Sequence, residues 1–344
     1  MRLGGENRVK QGSGRETKRL LTIILVLLCL LVLCLLGARF LPGEEKTKQD
    51  AEASVSSSVT MAPSPSALSE EEPAATPTAT PKAVDLSSLE GTEEMLDAIP
   101  EDTDTITAVG YQANASVLAD LQKAVDTVED NGYDAGFVLY DLQTGRSLSY
   151  NADEYFYSAS SIKAFYIAST ADTVEGALAS DGASMEQAVR NSDNDAYQYL
   201  IDKYSFPPIR EWVEQAGADP AIATKMYPYY GARQVAKLWA VNYFWFLNDP
   251  EGRSCASWYE TPNASSLRQL VAEGTMTRTK AGWIYYVGDT AEDTFISTNE
   301  GGIVYEDHPF IIVAMTNAPA DFTQLTTLFT PLLTAHDDMI SDLN

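Results

Sequence analysis

Histidine and cysteine are almost absent from this chain: 344 residues include two histidines and three cysteines. His308 lies in the turn Glu306-Asp307-His308-Pro309 and His336 near the C-terminus, and both read as solvated turn or helix-end residues. A Ser-His-Asp triad would have to recruit one of them, so histidine-driven nucleophile activation is not expected. Cys29 and Cys34 fall inside a long apolar run, leaving Cys255 as the only cysteine beyond it. No disulfide can form there, and no pair of cysteines or histidines has zinc-ligand spacing. Neither a metal nor a cofactor is therefore expected. Basic residues are scarce too: 23 Lys and Arg face 49 Asp and Glu, a formal charge of -26. Such a surface repels nucleic acid, which excludes that partner class.

One apolar run stands out. Residues 20–36 are uncharged and almost wholly apolar, and at about 1.5 Å per residue they reach roughly 26 Å, enough to cross hydrocarbon. The preceding tail, residues 1–19, carries Arg2, Arg8, Lys10, Arg15, Lys18 and Arg19 against Glu6 and Glu16. That bias keeps the N-terminus cytoplasmic and sends the rest across the membrane, making 20–36 a signal anchor. A cleaved signal peptide is the competing reading, although Gly37-Ala38 offers only a weak cleavage site. Residues 37–102 are rich in Ser, Thr, Pro and Glu, as in Thr76-Pro77-Thr78-Ala79-Thr80-Pro81, and read as a disordered spacer. Residues 103–344 remain as one extracytoplasmic domain, large enough for a single core.

Within that domain, Asn114 begins a helical apolar pattern that ends at Asn131-Gly132. Gly136 to Tyr150 reads as two strands joined at Gln143-Thr144-Gly145. A buried helix is expected between Tyr155 and Ala171, then short helices from Ser184, where Ser184-Met185-Glu186-Gln187 fits a capping box, to about Asn248. Strands return at Thr275–Tyr286, Gly301–Tyr305 and Phe310–Thr316, and a last helix is capped near Asp321. This order predicts an α+β fold of three layers, α/β/α, around a five-stranded antiparallel sheet.

The chemistry concentrates in Tyr155–Ala171, where every residue is apolar, small or hydroxylic except Lys163. A lysine there must snorkel out or give up its proton, because burial disfavours the charged form. Ser160, three residues earlier, falls on the same helical face. A desolvated amine beside a hydroxyl makes a nucleophile without histidine. Two further motifs follow in order, Ser192-Asp193-Asn194 and Lys280-Ala281-Gly282.

With Ser160-x-x-Lys163, these motifs resemble the S-x-x-K, S-D-N and K-T-G set of penicillin-binding proteins and class A β-lactamases, over essentially the whole domain after Asn114. The bland alternatives are a snorkelling core lysine, a solvated turn and an edge-strand lysine. The resemblance implies that Ser160 attacks a carbonyl, Lys163 takes its proton and Ser192 relays a proton to the leaving nitrogen. It further implies that Asn194 binds the substrate amide and Lys280 the substrate carboxylate. The N–H groups of Ser160 and Trp283 would form an oxyanion hole, with Gly282 admitting close approach. The expected partner is a cell-wall peptide or a β-lactam.

Three departures bear on activity. The interval from Lys163 to Ser192 is short, implying a trimmed helical lobe. Ala281 replaces the Thr or Ser of K-T-G, a lost hydrogen bond of roughly 1 kcal/mol or somewhat more. The segment Ala218–Gly231 contains no glutamate, although family deacylation uses a loop glutamate to activate water. Efficient β-lactam hydrolysis is therefore not expected. The leading reading is a membrane-anchored serine hydrolase or acyl-transferase forming an acyl-enzyme at Ser160. A working β-lactamase and a non-catalytic module that binds wall peptide or senses β-lactams are its rivals.

Overall fold

The computed structural model describes residues 84–101 and 103–343. The basic tail, the 20–36 anchor and the spacer up to residue 83 lie outside the described residues. Among the described residues, no helix is long and apolar enough to cross a membrane.

The elements, in chain order, are α1 (Leu89–Asp97), β1 (Thr107–Val109), α2 (Ala115–Asp130), β2 (Ala135–Asp141), β3 (Ser147–Tyr150) and β4 (Phe156–Tyr157). A 3₁₀ turn at Ala159–Ile162 leads into α3 (Lys163–Thr173), α4 (Ala177–Arg190), α5 (Asn194–Tyr204) and α6 (Pro207–Gln215). After β5 (Tyr229–Tyr230) come α7 (Ala232–Asn248), α8 (Pro250–Cys255), α9 (Ser257–Glu260) and α10 (Leu267–Leu270). The chain closes with β6 (Met276–Tyr286), β7 (Phe295–Tyr305), β8 (Phe310–Thr316) and α11 (Phe322–Ile340).

Six strands form one antiparallel sheet in the order β1-β3-β2-β8-β7-β6. The period-2 alternation of side chains explains the three layers. Phe137, Leu139, Ile312 and Ala314 face α2 and α11, packing with Leu121, Val125, Leu325 and Leu328. Val138, Tyr140, Ile311, Val313 and Met315 face the other way, into a core with Phe165, Trp212 and Trp239 from the helical lobe. The α/β/α expectation holds, and the sheet has six strands rather than five. The extra strand, β1, is three residues of Thr-Ala-Val on the edge beside β3, too short to leave a periodic signal.

Four local readings are corrected. The disordered spacer was expected to run to residue 102, yet α1 lies within it, started by Ser88 Oγ accepting from Gly91 N at 3.2 Å. Leu96 and Ile99 are buried in the core, and the Arg233 guanidinium of α7 donates to the carbonyls of Leu96 at 3.0 Å, Ile99 at 2.7 Å and Pro100 at 2.9 Å. The acidic, polar composition concealed a short amphipathic helix. The single helix expected over Tyr155–Ala171 is a strand, a 3₁₀ turn and then α3. Ser184 caps nothing: α4 begins seven residues earlier, behind Gly176 at φ 74°. Finally, β7 starts at Phe295, because Ser297, Thr298, Asn299 and Glu300 look like loop residues but are buried polar strand residues.

Candidate active site

β6 is one edge strand of the sheet, and the Ser160 turn is pressed against it. Gly282 makes that contact possible. A Cβ at Gly282 would collide with Ser161 N, stand 2.5 Å from Ser158 O and stand 2.7 Å from Ser160 N. Only glycine lets two backbones meet this closely. Asn299 of the neighbouring strand fastens the approach, its amide donating to Tyr157 O at 2.7 Å. Ser160 is half-buried at the open end of an otherwise buried stretch. Its N–H lies in the first turn of a helix, where donors have no intrahelical partner.

Two of the positive-φ residues flank this cleft, Ala159 at 45° immediately before Ser160, and Ser192 at 57°. Side-chain-bearing residues reach this region at a cost of about 1–3 kcal/mol, and such strain clusters at working sites.

Lys163, at the first position of α3, is fully buried. Its Nζ donates to Ser192 O at 2.7 Å, Asp193 O at 3.3 Å and Asn194 Oδ1 at 2.6 Å, and it lies 5.3 Å from the Tyr197 ring centre. Burial pushes the Lys163 amine down to about 8, a shift that Asp193 partly opposes. Lys280 is also buried, and its Nζ donates to Ser192 Oγ at 3.0 Å and Ala281 O at 2.8 Å. Burial, and then repulsion from Lys163, push it down to about 7 against the pull of Glu300. Two amines thus converge on one three-residue turn.

Ser192, Asn194, Lys163 and Lys280 form one hydrogen-bonded network. Asn194 is exposed at the first position of α5, and Asp193 caps that helix by accepting from Ala196 N at 2.8 Å. Ser160 and Lys163 are neighbours on a 3₁₀-to-α junction, but among the described residues Ser160 Oγ has no hydrogen-bond partner. Catalytic hydrogen bonds often tighten only with substrate bound. Trp283 follows Gly282 on β6, and its ring packs on Phe322 at 5.2 Å. Ala281 is buried between Lys280 and Gly282.

Two residues of this neighbourhood escaped sequence reasoning. Glu300, paired in register with Ala281, is a buried carboxyl held by Ser265 Oγ, by Ser266 N at 2.7 Å and by Thr279 Oγ1 at 2.7 Å. Burial pushes its pKa up despite those donors. A charged residue inside the run Asn299-Glu300-Gly301 was the available signal. The other is Tyr227, whose hydroxyl reaches Asn194 Oδ1 at 3.3 Å from the glutamate-free segment 218–231. That segment supplies rings: Tyr157 lies 6.2 Å from Tyr227, 5.3 Å from Tyr229 and 4.7 Å from Phe295. Burial pushes the Tyr227 phenol up to about 12, so it is protonated at neutral pH. Glu211 and Glu214 are exposed on α6.

No curated protein matches the chain. Among solved structures, the chain is similar to the carbapenemase VCC-1 from Vibrio cholerae, at 16% identity and a TM-score of 0.50, covering 63% of this chain and 99% of that one. It is also similar to a β-lactamase from Sphaerobacter thermophilus, at 15% identity and a TM-score of 0.51, covering 64% and 96%. A mutant of PBP-A, solved as an acyl-enzyme complex with penicillin G, matches at 16% identity and a TM-score of 0.51, also covering 64% and 96%. At these identities the likeness establishes the fold. A family model described as "Beta-lactamase enzyme family" matches residues 119–182 and 179–332, which take in all three motifs. The chain belongs to the β-lactamase enzyme family, within the superfamily of penicillin-recognising serine hydrolases.

Proposed function

We propose that the domain is an extracytoplasmic serine hydrolase or acyl-transferase, held at the membrane by residues 20–36, that forms an acyl-enzyme at Ser160 with a cell-wall peptide or a β-lactam. The observation that carries this reading is the convergence of two buried amines, Lys163 and Lys280, on Ser192-Asp193-Asn194 beside the Ser160 turn. Structural lysines avoid such burial, whereas general bases need it.

In this reading the neutral Lys163 amine accepts the Ser160 proton as Oγ attacks the carbonyl. Negative charge developing on the carbonyl oxygen meets the N–H groups of Ser160 and Trp283, brought near one another by the close approach that Gly282 allows. Ser192, already hydrogen-bonded to Lys280, passes a proton to the departing nitrogen. Asn194 orients the substrate amide. Lys280 regains its proton when a substrate carboxylate arrives, since an opposite charge favours the ammonium form. Ala281 contributes no hydroxyl to that carboxylate.

Deacylation by water needs a positioned base near neutrality. Around Asn194 the segment 218–231 offers the protonated Tyr227 phenol in place of a carboxylate. A long-lived acyl-enzyme with β-lactams follows, which supports a peptidase-like or sensing role over drug turnover. Stopped-flow and steady-state measurement of β-lactam consumption tests this. The expected trace is a burst of one equivalent followed by negligible turnover; sustained turnover would favour the β-lactamase reading.

A further inference from the structure

The only two histidines in the chain, 28 positions apart, meet at the same buried carboxylate, just beyond the C-terminal end of β7. Asp141, the last residue of β2, is fully buried. Its Oδ1 accepts from Gln143 N at 3.1 Å, Thr144 N at 2.7 Å and Thr144 Oγ1 at 2.7 Å. Its Oδ2 lies 3.1 Å from His336 Nε2 and 3.5 Å from His308 Nδ1. Contrary to the solvated histidines expected from sequence, His336 is 1% exposed and its ring stacks on Phe310 at 3.8 Å.

That geometry fixes the tautomer. With Oδ1 already accepting from Gln143 and Thr144, Oδ2 accepts from His336 Nε2–H, which leaves Nδ1 as the ring's free acceptor. Nδ1 is buried and has no hydrogen-bond partner among the described residues. An orphaned buried acceptor costs about 1–3 kcal/mol, so it calls for an explanation.

A ring nitrogen of His336 and carboxylate oxygens of Glu306 and Asp337 lie within 4.8 Å of one another. Both carboxylates are exposed, and among the described residues neither is paired with a Lys or Arg. Glu306, Asp307 and His308 also line an open cavity of about 630 Å³, with Ile340 from the next turn of α11, so Glu306 is within reach of water-borne ions. A histidine oriented by a carboxylate through one nitrogen and free at the other is the usual posture of a metal ligand.

We propose that Glu306, His336 and Asp337 bind one divalent transition-metal cation of the zinc class, with water completing the coordination. One imidazole and two carboxylates are a donor set zinc accepts, and the two negative charges neutralise the ion. Glu306 stands in the β7–β8 turn and the other two ligands on α11, so the ion staples the C-terminal helix to the sheet. It takes no part in chemistry at Ser160. Sequence spacing missed it because the ligands are brought together by the fold, 30 residues apart.

Calorimetric titration of chelator-treated full-length protein with zinc chloride tests the site, alongside cobalt titration read by visible absorption. The wild type should take up one zinc per chain, and its melting temperature should rise on binding. Glu306→Gln and Asp337→Asn, both at exposed positions that leave the fold intact, should each weaken binding at least tenfold and suppress that rise. Labelling of Ser160 should not change. Absence of stoichiometric uptake by the wild type would overturn the proposal. So would zinc affinity unmoved in the double variant, since the many other acidic residues would then account for it.

Discussion

Lys163 and Lys280 carry ammonium groups that the folded cleft disfavours, and the consequence is a pH dependence of known sign. Their folded pKa values, near 8 and near 7, lie below the unfolded value of about 10.4, so between these limits the unfolded chain binds more protons. Stability therefore rises as pH increases through 7 and 8, by roughly 3–4 kcal/mol between pH 7 and pH 9. Urea unfolding at pH 7 and pH 9 should show that gain in the wild type and a smaller one in Lys280→Met. The rate of Ser160 acylation should climb over the same range as Lys163 deprotonates, and Lys163→Met should lose both the rate and the climb. Lysine, serine and the two short motifs were legible at this scale because each is a chemical exception within its own segment. Tyr227 and Glu300 were not, since a tyrosine among tyrosines and a glutamate in an acidic chain are unremarkable until the fold places them.

At the scale of elements, two dockings matter, and only the first bears on the site. The first is the Ser160 turn against β6. Gly282→Ala puts a methyl group into the backbone of Ser158, Ser160 and Ser161, and neither partner can yield as a flexible side chain would. The substitution should cost about 1–3 kcal/mol of stability. Ser160 acylation should fall by about a hundredfold, because the nucleophile and both oxyanion donors are displaced. Denaturant unfolding and labelling kinetics measure the two effects separately. The second docking is α1 on α7 through Arg233, which also holds Asp153 with two bonds of 2.8 Å. Arg233→Met leaves three carbonyls and a carboxylate without their donor, a loss of about 3–5 kcal/mol by the precedent of broken buried ion pairs. Limited proteolysis should then cut within residues 84–101, while Ser160 labelling persists. Long periodic elements such as α2 and β8, and the start of α11, could be read from the sequence nearly to the residue. β1, α1 and the first half of β7 could not, because two are too short for periodicity to register and the third is built from polar residues whose partners lie on other elements.

The whole molecule, in this account, is a serine acylating domain presented beyond a membrane anchor by a long polar spacer. The three-layer architecture was legible because helix and strand patterns alternate in an order that few folds accept. The charge balance argued against a nucleic-acid partner, and the shortage of histidine pointed to lysine. What the sequence hid is how the pieces close on one another: which backbone Gly282 touches, which carboxylate gathers both histidines, and which ring occupies the segment without glutamate. The central claim is that Ser160 is an acylating nucleophile without an efficient route to deacylation. Intact mass spectrometry of the protein incubated with benzylpenicillin, followed from minutes to hours with peptide mapping, tests it most directly. A single adduct of one drug molecule, mapping to Ser160, undiminished over hours and absent from Ser160→Ala, is the predicted result. Labelling that survives in Ser160→Ala, or no adduct and no drug consumed, would contradict it.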